Sequence, residues 1–164
     1  MADVGRVEVK GADEIARLLR SLPAEVVSKK GGPVKLSLAK GARFLRDRER
    51  EALRSVLVEG EESTGLLEQN IIASRGKAPV GGNGERYLVR IKRKMYPGRK
   101  GEQVSTLKSA QLKEYGSAHQ PAASFIRRTV RTHGARTIAV IVDDLKSRLD
   151  KIVSRLAATN GSAR

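Results

Sequence analysis

The chain has 164 residues, which is the length of one compact domain of ordinary size. Its 33 Lys and Arg residues exceed its 18 Asp and Glu residues and give a net charge of +15, which favours anionic partners. The absence of cysteine excludes disulfides, cysteine-ligated metals and thiol catalysis. Only five aromatic residues are available for a core, namely Phe44, Tyr87, Tyr96, Tyr115 and Phe125. Because aromatic rings usually supply much of the buried area of a core, we expect partner subunits to complete it.

The N-terminal part of the sequence predicts a strand and a short helix. Val7 and Val9 alternate with charged residues, which is typical of a half-buried edge strand. From Asp13 to Leu22, apolar residues recur on one helical face, and Pro23 ends the pattern. The longest purely apolar run, Ile138 to Val142, is too short to span a membrane, and no export signal is visible. We therefore expect a protein made in the cytoplasm and without membrane contact.

A long helix is predicted after the Gly31-Gly32 break. Pro33 suits the first helical position, and apolar residues then recur at helical spacing to about Leu57. The charged run Asp47 to Glu51 predicts a solvated surface of mixed sign on this helix.

Strand patterns follow the long helix. Ile71 to Ala73 is rich in β-branched residues, and Tyr87 to Ile91 alternates as a half-buried strand does. A glycine-rich connection, Gly76 to Gly84, separates the two strands. Beyond them, the sequence predicts a loop from Tyr96 to Ser105 and a weaker strand from Leu107 to Tyr115.

The last segment predicts an amphipathic helix. Ser124 is placed to cap a first helical stretch, and a longer one follows Gly134 and continues to Leu156. We therefore predict an α+β fold, in which an antiparallel sheet of about four strands is packed by the long helix and the amphipathic C-terminal helix. Residues 1–156 form a single domain in this prediction, and residues 157–164 form a flexible C-terminal tail.

The sequence contains no pattern typical of an enzyme. His119 and His133 fall in predicted loops without a second ligand at a metal-binding spacing. Asp143 and Asp144 are adjacent on a predicted helix, so their side chains diverge by about 100° and are expected to be solvated. We therefore predict no catalytic residue, no metal and no cofactor, whereas a nuclease or another enzyme would need a carboxylate or histidine cluster.

Basic residues are concentrated in the second half of the predicted sheet. Arg90, Lys92 and Lys94 would share one strand face and could contact a nucleic-acid backbone without reading bases. The alternative interpretation is a solvated or subunit-facing sheet edge whose lysines oppose aggregation. The residues predicted for a partner or DNA-backbone contact are Arg90, Lys92, Arg93, Lys94, Arg99 and Lys100.

Three short motifs occur in a fixed order around the predicted sheet. Thr64, Gly65 and Leu66 follow the long helix; Glu114, Tyr115, Gly116 and Ser117 follow the strands; Ser124, Phe125 and Ile126 open the last helix. In this order and spacing, the sequence from Val7 to about Leu156 resembles the tail-component family of long-tailed bacteriophages, the neck or tail-completion proteins found between capsid and tail. Glycine permits unusual backbone conformations, and the Phe125 and Ile126 side chains suit packing of the last helix on the sheet, so we expect these residues to determine the fold.

The resemblance implies a virion protein without turnover chemistry. It implies a homo-oligomeric ring, a hexamer because tail tubes of this class are sixfold, and a ring requires a heterologous interface that closes. The implied partners are further copies of the chain, head-closure or connector proteins, and tail-terminator or tail-tube proteins, with nonspecific contact to genomic DNA in the lumen as a secondary role. The alternative function is that of a sequence-nonspecific basic nucleic-acid-binding protein, which the +15 charge favours.

Overall fold

The computed structural model describes residues 17, 32–57, 65–77, 85–98 and 101–161. The elements in these ranges are, in chain order, α1 (Pro33–Val56), α2 (Leu66–Gln69), β1 (Ile71–Arg75), β2 (Tyr87–Ile91), β3 (Met95–Pro97), β4 (Gln103–Ser105), α3 (Thr106–Tyr115) and α4 (Phe125–Gly161). The predicted α+β class, long helix and C-terminal helix are confirmed. The strand predicted at Val7 and Val9 lies outside the described residues, and so does the helix predicted from Asp13 to Leu22 except for Arg17, which is helical.

The four strands of the described ranges form two antiparallel pairs. In the first pair, β1 lies beside β2 with Ile71 opposite Ile91, and both strands are where the sequence predicts them. In the second pair, β3 lies beside β4 with Met95 opposite Ser105, so the prediction of a loop from Tyr96 to Ser105 is wrong at both of its ends, which are strands. The described strands therefore make two small sheets of two strands each.

The strand predicted from Leu107 to Tyr115 is wrong, because this segment is the helix α3. Ser105 supplies the N-cap, its hydroxyl accepting a hydrogen bond from the Lys108 amide at 3.2 Å. Gly116 ends the helix, and Ala110, only 2% exposed, packs into the core. Capping at both ends and burial of a small residue outweigh a weak alternation of apolar residues.

Helices α1 and α4 run antiparallel, since Val34 packs near Leu149 at one end while Leu53 meets Phe125 at the other. With 24 residues α1 is about 36 Å long, and with 37 residues α4 is about 55 Å long. The helix α4 passes through Gly134 without a break and ends at Gly161, beyond the predicted end of the domain. Its last turns therefore project past the start of α1.

Two apolar clusters lie at opposite ends of this helix pair. The first joins four elements through Leu53, Ile71, Ala110 and Phe125. The second consists of Leu145 and Leu149 with the half-buried Val34 and Val142, all on α1 and α4. None of the helices in the described ranges combines the length and apolar character that a membrane span needs.

Between the clusters, the two helices approach closely at Gly41. A Cβ atom at this position would lie 2.3 Å from Cγ1 of Ile141, which is far inside van der Waals contact. The close crossing therefore depends on the absence of a side chain at Gly41.

Asp144 links α4 to α1, which contradicts its prediction as a solvated residue. Its carboxylate accepts hydrogen bonds from the Ser37 hydroxyl at 2.9 Å, the Lys40 ammonium at 2.8 Å and the Arg148 guanidinium at 2.5 Å. Burial opposes ionisation of this carboxyl, but the three donors outweigh it and hold the pKa of Asp144 well below its ordinary value. Asp143 is exposed, as predicted.

Candidate functional site

The basic residues that follow β2 lie on an exposed connector. Arg90 is the one exposed residue of β2, and Lys92, Arg93 and Lys94 follow the end of this strand at Ile91. The four basic side chains Arg90, Lys92, Arg93 and Lys94 are all exposed, and we call this set the basic connector. Arg99 and Lys100, predicted to act with them, lie outside the described residues.

A buried threonine fixes the backbone of this connector. The Thr106 hydroxyl donates to the Lys92 carbonyl at 2.7 Å and accepts from the Lys94 amide at 3.0 Å. The Lys92 amide donates to the Asn70 carbonyl at 2.8 Å. Thr106 bonds the Lys92 carbonyl and the Lys94 amide, which a neighbouring strand would otherwise bond. Contrary to the sequence prediction, Lys92 and Lys94 therefore do not share a strand face with Arg90. Their backbone is held while their side chains reach solvent.

The Thr-Gly-Leu motif marks the start of α2. Gly65 is the N-cap residue of this helix and has a φ of 66°, in the left-handed region. Leu66 is half-buried, and its carbonyl accepts a hydrogen bond from the Asn70 side chain at 2.8 Å. Thr64 lies outside the described residues.

Glu114 joins the end of α3 to the start of α4. Its side chain is only 3% exposed, and its carboxylate accepts from the Ile126 amide at 2.8 Å and the Arg127 amide at 3.1 Å. The Arg127 guanidinium also donates to it at 2.9 Å. Glu114 therefore caps the N-terminus of α4. The hydroxyl of Ser124, which was predicted for that role, instead donates to the Glu114 carbonyl.

Gly116 and Phe125 complete this junction. Gly116 has a φ of 79°, and a Cβ there would lie 2.8 Å from the Gln120 carbonyl oxygen and the Ala122 nitrogen. A side chain is therefore opposed both by backbone strain and by contact. Phe125 is fully buried in the first apolar cluster, and Ile126 packs against that cluster from a half-buried position.

Glu49 is a buried carboxyl group that the sequence interpretation missed. It belongs to the charged run predicted as a solvated surface, yet it is only 5% exposed. Burial raises the pKa of the Glu49 carboxyl to about 7, and the nearby Glu114 carboxylate adds to the rise. Its spacing of four residues from both Leu45 and Leu53 could have placed it on the apolar face.

The first turns of α4 form an arginine-rich cleft, which the sequence interpretation also missed. It encloses about 380 Å³ and is lined by Ser124, Arg127, Arg128, Arg131 and Thr132, a set we call the arginine cleft. Tyr115 lies beside it, 67% exposed, with the Arg127 guanidinium 5.0 Å from the centre of its ring. The spacing of these arginines along one helical face is the sequence feature that could have indicated the cleft.

The titratable residues of the described ranges do not assemble into a metal site. No group of three or more His, Asp or Glu side chains in those ranges is arranged to hold a metal ion. His119 is exposed in a loop, as predicted. His133 was also predicted in a loop but lies within α4, where its ring meets the edge of Phe44 at a centroid distance of 6.4 Å.

Comparison with known proteins gives no match to a protein-family model, to a curated protein or to a solved structure.

Proposed function

We propose that this chain is a structural protein of the neck of a long-tailed bacteriophage. Copies of it form a homo-oligomeric ring, a hexamer on the sixfold pattern of such tails, between the head connector and the tail-terminator or tail-tube proteins. The protein is made in the host cytoplasm and becomes part of the virion, and its role involves no catalysis, metal or cofactor. The ordered motifs of the sequence support this proposal, together with the surface features described below.

The observation that carries the proposal is apolar surface at the projecting end of α4. Val153 is 44% exposed and Leu156 is 42% exposed, and they are three residues apart on one helical face. No residue of the described ranges covers them, because α1 begins beside Leu149 and runs away from this end of α4. Contact with a second copy of the chain would bury this face and supplement the sparse core.

The strand pairs offer a second place for subunit contact. Each of the two described sheets has only two strands, so each retains unpaired strand edges within the described ranges. A strand edge of one copy can add backbone hydrogen bonds to a neighbouring copy, and a repeated heterologous contact of this kind closes into a ring.

The alternative is a sequence-nonspecific nucleic-acid-binding protein, which the exposed basic connector from Arg90 to Lys94 favours. Light scattering and DNA titration separate the two functions. The neck proposal expects a discrete oligomer at physiological salt. A monomer that binds DNA with submicromolar and steeply salt-dependent affinity would favour the alternative.

The basic connector can be tested by changing Arg90, Lys92 and Lys94 together to Gln. Because the three side chains are exposed and Thr106 holds only backbone atoms, we expect an unchanged melting temperature with a loss of several-fold in oligomer assembly or DNA retention. The matched control changes Arg43, Arg136 and Lys151 to Gln, which removes the same charge from exposed positions elsewhere. Equal behaviour of the two triple variants, or normal particle yield and infectivity with the first, would reject a specific role for the connector.

A further inference from the structure

The arginine cleft carries an excess of positive charge that the described fold does not neutralise. Residues 115–142 include four arginines and no acidic residue. Arg127 is paired with Glu114. Within the described ranges, the side chains of Arg128 and Arg131 make neither a hydrogen bond nor an ion pair, and both are exposed.

The position of these arginines costs stability in the isolated chain. Arg128 and Arg131 lie one turn apart, so their like charges repel, and Arg128 lies in the first turn of α4, at the positive end of the helix dipole, where a cation is unfavourable. Glu114 already occupies the amide groups at the end of this helix, so the cleft offers guanidinium groups to a ligand rather than backbone amides. An anion bound between the two guanidinium groups would relieve their repulsion.

The chemistry of the cleft fits phosphate groups, and the aromatic ring beside it favours nucleic acid over acidic side chains. Guanidinium groups present paired N–H donors that match two phosphate oxygens, and Ser124 and Thr132 add hydroxyls to the lining. The neighbouring Tyr115 ring is 67% exposed and is already stacked with a guanidinium on one side. An exposed aromatic ring beside a row of cations is the combination that binds single-stranded nucleic acid, in which the bases stack while the cations follow the backbone.

We propose that the arginine cleft binds the phosphate backbone of single-stranded nucleic acid through Arg128 and Arg131, with Tyr115 as a stacking surface for an unpaired base. This site is distinct from the basic connector after β2, and it does not depend on the neck function proposed above.

The test uses fluorescence anisotropy with a labelled oligothymidylate of about 15 nucleotides, titrated at several salt concentrations. We expect Arg128→Gln with Arg131→Gln to weaken binding about tenfold. The slope of the logarithm of the binding constant against the logarithm of the salt concentration should become shallower by about 1.4, which corresponds to two phosphate contacts at about 0.7 each. The matched control on the same helix, Arg136→Gln with Lys151→Gln, removes the same charge outside the cleft and is expected to change affinity less than threefold.

Two further variants separate the contacts. Tyr115→Ala is expected to weaken binding at least fivefold, while Tyr115→Phe keeps the ring and the affinity. Replacement of both arginines by Lys retains the charge but loses the paired donors, so an intermediate affinity is expected; this pair also serves if the Gln variant fails to fold. Equal losses in the cleft and control variants, equal affinities of Tyr115→Ala and Tyr115→Phe, or displacement of the oligonucleotide by polyglutamate at equal charge would each overturn the proposal.

Discussion

The two ends of the α1–α4 helix pair are built differently. At the Phe125 end, side chains from four elements meet in one apolar cluster, and Glu114 caps the incoming helix. At the Leu149 end, two helices alone contribute described core residues, and a charged group, Asp144, joins them. The difference shows that more elements meet at the Phe125 end, whereas at the Leu149 end the described residues leave apolar surface of α4 exposed, where we propose contact with further copies.

The largest expected effect is at the centre of the Phe125 end. Phe125 is fully buried, so Phe125→Ala should lower the free energy of unfolding by about 4 kcal/mol. Leu149→Ala, also at a fully buried site, should cost about 2.5 kcal/mol because fewer elements surround the cavity. Urea unfolding of both variants gives the comparison, and a larger loss for Leu149→Ala would reverse our ranking of the two ends.

The Phe125 end should also respond to pH through Glu49. The folded-state pKa of this carboxyl is raised from 4.5 to about 7, so between these values the folded protein holds a proton that the unfolded chain releases. Stability is therefore greatest below the unfolded pKa and falls as pH rises from there through about 7, by about 3 kcal/mol. The free energy of unfolding measured from pH 5 to pH 8 should fall in the native chain but not in Glu49→Gln. The same dependence on pH in both proteins would contradict this role of Glu49.

The smallest expected effect is at the Leu149 end, where Asp144→Asn removes the charge shared by Lys40 and Arg148. Above pH 5 we expect a loss of about 1 kcal/mol, because both charged partners, Lys40 and Arg148, remain partly solvated. The pKa of Asp144 is lowered on folding, so its contribution is present above the ordinary value of 3.8 and is lost as pH falls below it. Denaturation at pH 7 and pH 3 checks this, since the difference between variant and native chain should shrink at pH 3.

The elements that the sequence predicts best are those whose pattern is long and whose ends are marked. The helix after Pro33 and the strand from Tyr87 to Ile91 satisfy both conditions. The segment from Thr106 to Tyr115 has marked ends at Ser105 and Gly116 but no long pattern, because its apolar positions are few and its burial depends on Ala110 meeting three other elements. Likewise, Gly134 lies inside α4 because packing on both sides of it outweighs its low helix propensity.

The candidate sites could be predicted only in part. The exposed basic residues Arg90 to Lys94 are visible in the sequence, but their arrangement depends on Thr106, whose hydrogen bonds cross 12 and 14 residues. The arginine cleft requires that Glu114 cap α4 and so fix which side of the helix remains open. Carboxylate side chains are usually exposed, so the sequence predicts solvated positions for Glu49 and Asp144. Both lie instead at contacts between elements, which the local pattern of charges does not reveal.

The measurement that tests the neck proposal most directly is quantitative mass spectrometry of purified phage particles from the strain that encodes this chain. The proposal predicts that the chain co-purifies with head and tail proteins in a small fixed number of copies per particle, close to the six of a single ring. Absence of the chain from both mature particles and assembly intermediates would contradict it.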